Sequence, residues 1–205
     1  MKKDIIITIG RQFGCGGKLI AEALGQKLGI PVYDNELIKK AAQESGFSTA
    51  FFERSDEKKR FFSLSAIFQS GYSSEENYMS DKNLFGIQCE TIKMIAEQGP
   101  AIIVGRCSDY VLRERGNTLD IFLTSPFEKR VEMVAEREGL TLEKAHAMVE
   151  REDKNREEYY NYYTFGNWGV ASNYDLCLDS SIAGIEGTAE IIIEFAKRAG
   201  LLPNE

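Results

Sequence analysis

The sequence predicts an α/β fold: a mostly parallel five-stranded sheet with helices on both faces, in three α/β/α layers. Three observations lead there. Short aliphatic runs alternate with stretches of helical spacing, the first run ends in a glycine cluster, and 43% apolar content in 205 residues can fill one core. A single domain with insertions is therefore expected.

Ile5-Ile6-Ile7-Thr8-Ile9 reads as a strand buried on both faces, because strands of a covered parallel sheet are apolar throughout rather than alternating. Beyond the glycines, Leu19, Ile20, Ala23, Leu24 and Leu28 recur at helical steps, and Gly29 and Pro31 stop that helix. Val32-Tyr33-Asp34 is a short strand. Ala101 to Gly105, Leu119 to Leu123 and Tyr174 to Leu178 are the other three, with helices between them. An amphipathic helix from Gly184 to Gly200 closes the chain.

Two stretches interrupt this rhythm. Residues 47–80 mix charges, aromatics and serines without a period and read as an inserted mobile segment. Residues 139–172 open on Gly139-Leu140-Thr141, continue as a charged helix, and end in Tyr159, Tyr160, Tyr162, Tyr163 and Trp168, a lid-like excursion. The core then comprises residues 1–46, 81–138 and 173–205.

Composition narrows the function classes. A net charge of −7 without a basic stripe argues against a nucleic-acid partner held by phosphate neutralisation, whereas a few arginines still suffice for a small anion. Cys15, Cys89, Cys107 and Cys177 form no CxxC pair, and one histidine cannot complete a zinc site, so reduced cytosolic thiols and no protein metal site are expected. Neither a leader with an apolar core nor a membrane span is legible, which places the chain in the cytoplasm.

Gly10-Arg11-Gln12-Phe13-Gly14-Cys15-Gly16-Gly17-Lys18 lies between a strand and a helix. Glycines there let successive N–H groups turn toward an anion, and the helix N-terminus adds positive potential. A tight turn using glycine for conformation alone is the plainer reading. The loop departs from GxxxxGK[ST]: with Gly17-Lys18 as the GK pair, Gln12 replaces the first glycine and Leu19 the magnesium-binding hydroxyl. Aligned by strand and helix instead, Arg11 takes the first-glycine position and Gly17 that of the lysine.

Other residues carry chemistry of their own. Arg106 follows a strand, where ligands bind in open α/β sheets, and its fork suits a phosphate; an ion pair with Asp109 would be the bland alternative. Arg130 begins a helix and could equally be solvated. Arg151, Asp153 and Arg156 sit in a dense charge run that would also make an ordinary wet helix face. Asp34 suits a ribose, a magnesium-bound water or the cap of the next helix. His146 reads as a surface residue. Cys15 becomes oxidation-sensitive if the helix N-terminus lowers its pKa. The tyrosines and Trp168 could stack a base, although packing of the lid is the better reading.

Taken together, the run from Ile7 to Ala21, Leu28-Gly29-Ile30-Pro31-Val32-Tyr33-Asp34, Ile103-Val104-Gly105-Arg106-Cys107-Ser108-Asp109, Arg130, the Arg151 to Arg156 segment and Asn173 to Leu178 resemble the cytidylate kinase-like family over nearly the whole chain. That resemblance implies a P-loop kinase fold, an acceptor-binding insertion after the second strand and an arginine-bearing lid. It implies ATP with Mg2+ as phosphoryl donor, small nucleotides as partners, and it leaves room for a homodimer. It further implies donor-phosphate binding by Gly10, Arg11, Gly14, Cys15, Gly16, Gly17, Lys18 and Leu19. Acceptor binding falls to Asp34, Arg106, Asp109 and Asp153, with Asp153 facing a cytosine amine, and catalysis to Lys18, Arg130, Arg151 and Arg156. Three readings of activity stay open: a kinase for a pyrimidine monophosphate such as CMP, a nucleotide-binding regulator with little turnover, and a kinase for another small acceptor.

Overall fold

A computed structural model describes residues 5–44 and 75–203, with side chains from residue 84 onward in the second stretch. Residues 47–74 of the expected insertion lie outside the described residues. The elements in chain order are β1 (Ile6–Arg11), α1 (Gly17–Leu28), β2 (Val32–Tyr33), α2 (Asn35–Glu44), α3 (Glu75–Gln98) and β3 (Ala101–Val104). There follow α4 (Ser108–Val111), β4 (Thr118–Thr124), α5 (Phe127–Glu138), α6 (Leu142–Thr164), a 3-10 turn (Ala171–Asn173), β5 (Leu176–Asp179) and α7 (Ser180–Arg198).

The strand order is β2-β3-β1-β4-β5 and every described pairing is parallel, with Ile6 opposite both Ala101 and Thr118, Val32 opposite Ile102, and Ile121 opposite Leu176. Alternation along the central strand divides the core. Ile5, Ile7 and Ile9 pack with Ile20 and Leu24 of α1 and Ile192 of α7, while Ile6 joins Ile38 of α2, Ile92 and Ile95 of α3, and Leu112 on the other face. A third cluster, Val131, Val134, Ala145 and Val149, binds α5 to α6. The β-branched run that predicted β1 thus reflects burial on both sides. The closing helix starts earlier than expected, capped by Asp179 Oδ1 accepting from the Ser181 amide, and breaks at Gly184 (φ 67°, ψ −173°).

This topology fixes where a ligand fits. From β1 the chain crosses toward the β2 edge, and from β3 it crosses toward the β4 edge, so a crevice opens beyond the carboxyl ends of β1 and β3. Gly10-Arg11 ends one of these strands and Gly105-Arg106 follows the other.

One polar pair sits inside the sheet. Thr8 shares the face of Ile6 and donates its hydroxyl to Asp120 Oδ1 of β4 at 2.6 Å. Burial pushes the Asp120 carboxyl up to about 6, against the Thr8 hydrogen bond that favours the anion and with help from Asp109 and Asp175. A raised native pKa means that the folded chain keeps a proton the unfolded chain has lost between about pH 4 and 6, so stability falls as pH rises through that window. Relative to Asp120→Asn, the wild-type chain is expected to lose about 2 kcal/mol across this range, partial exposure allowed for, as read by urea unfolding at each pH.

Candidate active site

The glycine loop follows β1 and is pinned at its start. The Gln12 amide donates to Leu123 O at 3.0 Å, and Gln12 Oε1 accepts from Thr124 Oγ1 and the Ser125 amide. Gly14 (φ 82°) and Gly16 (φ 77°) hold left-handed backbone. A Cβ on Gly14 would meet Val134 at 2.9 Å, and one on Gly16 would meet Ile185 at 2.7 Å, so close approach to α5 and α7 also demands glycine. The amides of Gly14, Cys15 and Gly16 have no protein acceptor among the described residues, and they precede the N-terminus of the 12-residue α1. That is the chemistry of an anion cradle.

The first turn of α1 is less orthodox. Lys18 is exposed and pairs with Asp34 Oδ2 at 3.1 Å, while Leu19 is 54% exposed and offers no oxygen to a cation. Asp34 Oδ1 accepts from the Glu36 and Leu37 amides at 3.1 Å, so this carboxylate caps α2. Its pKa is lowered despite burial, because the Leu37 amide, Lys18 and the Glu36 amide favour the anion. Cys15 is buried, its Sγ facing Leu123 O at 3.6 Å, and burial pushes its pKa up; the expectation of a low-pKa, oxidation-sensitive thiol at a helix N-terminus is corrected.

Beyond the strand ends lies a cavity of about 420 Å³. Its floor is Gly10, Arg11, Gly105, Arg106 and Cys107, with Asn35 and Asp109 beside them; α6 contributes Glu152, Asn155, Arg156, Tyr159 and Tyr160, and Trp168 and Tyr174 close one side. Gly105, Arg106 (φ 59°) and Cys107 (φ 55°) form three successive left-handed residues. For the two non-glycines this conformation costs roughly 1 kcal/mol or more each, a kind of strain concentrated at functional sites.

The structure brings Arg11, Arg106 and Arg156 together. Arg156 Nη1 donates to Arg11 O at 2.9 Å, and a Cβ on Gly105 would collide with the Arg11 guanidinium. Burial, then Arg156 and Arg106, push Arg11 down to about 9, still a cation at neutral pH. Arg156 is lowered too, by burial first. Arg106 lies over the Tyr159 ring at 5.4 Å and forms no ion pair among the described residues. The alternative of an Arg106–Asp109 pair is not what the structure shows: Asp109 Oδ2 accepts from Tyr160 Oη at 2.7 Å, and burial raises its pKa.

Arg130 and Asp153 lie apart from the cavity lining. Arg130 is buried, not solvated, and donates to Ser125 O, Phe13 O and Asp153 Oδ2, the last at 2.5 Å; Asp153 Oδ1 accepts from the Phe13 amide at 2.7 Å. Arg151 is exposed and grips its neighbour Glu152 at 3.0 Å. The tyrosines divide. Tyr163 stacks on Phe85 of α3 at 4.0 Å and Tyr159 donates to Gln88 Oε1, which is packing, while Tyr159 and Tyr160 also face the cavity. Gly105, Asn35 and Tyr174 were not singled out in the sequence; the glycine directly before Arg106 was the available signal.

A parallel sheet in this order, with a glycine loop between β1 and α1 and an arginine-lined crevice, is the architecture of the P-loop kinases. Shikimate kinase from Bacteroides thetaiotaomicron superposes with a TM-score of 0.54 at 11% identity, covering 94% of this chain and 98% of that one, which is a likeness of fold. An uncharacterized protein from Eubacterium ventriosum superposes at 0.72 with 28% identity, covering 96% and 99%. The chain belongs to the cytidylate kinase-like family, whose model matches residues 6–182. It is 27% identical to the cytidylate kinase of Pyrococcus horikoshii, over 94% of this chain and 88% of that protein. To the cytidylate kinase of Methanopyrus kandleri it is 28% identical, over 87% and 86%. No helix among the described residues is long and apolar enough to cross a membrane.

Removing one partner of the Arg130–Asp153 pair leaves a buried charge. Asp153→Ala is expected to lower stability by about 3 kcal/mol in urea titrations, against less than about 0.5 kcal/mol for Arg151→Ala.

Proposed function

We propose that the chain is an ATP-dependent phosphotransferase acting in the cytoplasm on a pyrimidine nucleoside monophosphate such as CMP. The observation that carries this reading is the group of guanidiniums, Arg11, Arg106 and Arg156, facing one aromatic-walled cavity at the strand ends. Kinship with cytidylate kinases supports the choice of acceptor.

In this reading the free amides of Gly14, Cys15 and Gly16, with Gly17, Lys18 and Leu19 in the first turn, cradle the donor phosphates. Arg106 holds the acceptor phosphate from the rigid core, and Arg156 neutralises charge on the phosphoryl in flight. A phosphate oxygen of the acceptor attacks the γ-phosphorus as the bond to the leaving diphosphate breaks, so no hydroxyl proton has to be removed. Glu152, lining the cavity, is the carboxylate placed to accept from a cytosine amine. Asp153 and Arg130 act by positioning, since they join the glycine loop to the lid. Mg2+, which would screen the triphosphate, would have to arrive with the nucleotide: Leu19 supplies no ligand for it, and no group of three His, Cys, Asp or Glu side chains among the described residues could hold a metal.

The pairing of Lys18 with Asp34 favours a second reading, a nucleotide-binding regulator with little turnover. A coupled assay across nucleoside monophosphates, with binding measured in parallel, separates the two: turnover with CMP supports the kinase, binding without turnover the regulator. Under the kinase reading Arg106→Ala raises KM for the monophosphate, and Arg156→Ala lowers kcat by about 10- to 1000-fold. Identical kinetic defects in the two variants would refute this division.

A further inference from the structure

The loop residue Arg11 was expected to serve the donor phosphates. Its side chain turns the other way. The guanidinium leaves the end of β1, passes over Gly17, where a Cβ would meet Arg11 Cγ at 2.9 Å, and lies against the backbone of Gly105 beyond β3. Gly105 has no side chain to oppose it and, at φ 76°, no ordinary residue would replace it cheaply. The charge thus arrives beside Arg106, on the cavity floor, rather than among the amides of residues 14–16.

No carboxylate among the described residues pairs with it there. Among the described residues the Arg11 guanidinium makes no hydrogen bond and no ion pair. After burial, the largest influences on it are the like charges of Arg156 and Arg106; Cys15, a buried thiol, and Asp34, already engaged by Lys18 and the cap of α2, oppose them more weakly. Cations crowded into a partly dry site without a counter-ion are destabilising unless a multivalent anion joins them. Guanidinium forks are the side chains best shaped to grip such an anion from several directions.

We infer that Arg11 is an acceptor-site residue, forming with Arg106 a guanidinium socket for the terminal dianion of a phosphomonoester and leaving Arg156 to the phosphoryl group being transferred. The inference rests on reading the cavity as the acceptor site. It changes how the loop divides its labour: the backbone amides of residues 14–16 serve the donor, and the side chain of residue 11 serves the acceptor. It also supplies positive charge at the strand ends that Lys18, tied to Asp34, does not bring to the cavity.

The test is equilibrium binding by calorimetry of CMP, cytidine, orthophosphate and a non-hydrolysable ATP analogue to wild type, Arg11→Gln and Arg11→Lys. Arg11→Gln is expected to weaken CMP at least about tenfold while leaving cytidine and the ATP analogue within about twofold, with Arg11→Lys in between because it keeps charge without the fork. CMP binding unchanged in Arg11→Gln, or an ATP-analogue loss equal to or larger than the CMP loss, would overturn the assignment. If Arg11→Gln shows no cooperative melting, the same comparison is decided on Arg11→Lys. If wild type binds no CMP, the choice of acceptor fails separately, and orthophosphate then judges the socket. Orthophosphate binding that Arg11→Gln abolishes supports a socket for a different phosphomonoester, and no orthophosphate binding to wild type overturns it.

Discussion

One carboxylate, Asp153, holds the working parts of this molecule in register. Its two oxygens take the Phe13 amide of the glycine loop and the Arg130 guanidinium of α5, and it rides on α6. Arg130 closes the arrangement by reaching Ser125 O and Phe13 O. The glycine loop, α5 and α6 thus share a small, nearly dry network of charge-assisted hydrogen bonds. Such a network is worth little as net stability over an apolar substitute, yet breaking it is costly, which makes it a means of setting geometry. The position of Arg156, three residues along α6 from Asp153, follows from it.

The fold was legible because the run Ile5 to Ile9 is apolar at every position but Thr8, which fits a doubly covered parallel strand, and because a glycine cluster follows it. The charged helix α6 was legible from its charge density after Gly139-Leu140-Thr141, and it begins where Thr141 Oγ1 accepts from the Lys144 amide. What escaped was orientation. Position in sequence says that Arg130 lies at a helix start, but not that the helix turns this residue inward against Phe13 O. Likewise the 150–158 charge run splits between water and interior: Arg151 faces solvent, Asp153 faces the loop, and Arg156 faces the cavity. A helix of 3.6 residues per turn spreads near neighbours around its circumference, and only the packing of α5 on α6 says which direction is inside.

The aromatic residues show the same division. Phe122 of β4 supports Trp168 edge-on at 5.3 Å and Tyr174 at 5.0 Å, and Gly10 and Gly169 are bare where they meet its ring. This wall joins the segment after α6 to the sheet itself. Tyr163 on Phe85 and Tyr159 on Gln88 do the same for α6 and α3. Helix α6 is therefore fastened both to α5 and to α3.

The contact between Arg11 and Gly105 has a consequence for how such chains can vary. A long side chain at the end of one strand occupies the space that the absence of a side chain at the end of its neighbour leaves free, although the two positions stand 94 residues apart. Neither can drift alone. A β-carbon at 105 would evict the guanidinium, and a shorter residue at 11 would leave a hollow beside Arg106. Across relatives of this fold the two sites should therefore change together or not at all, as a lock and its ward are cut to one pattern.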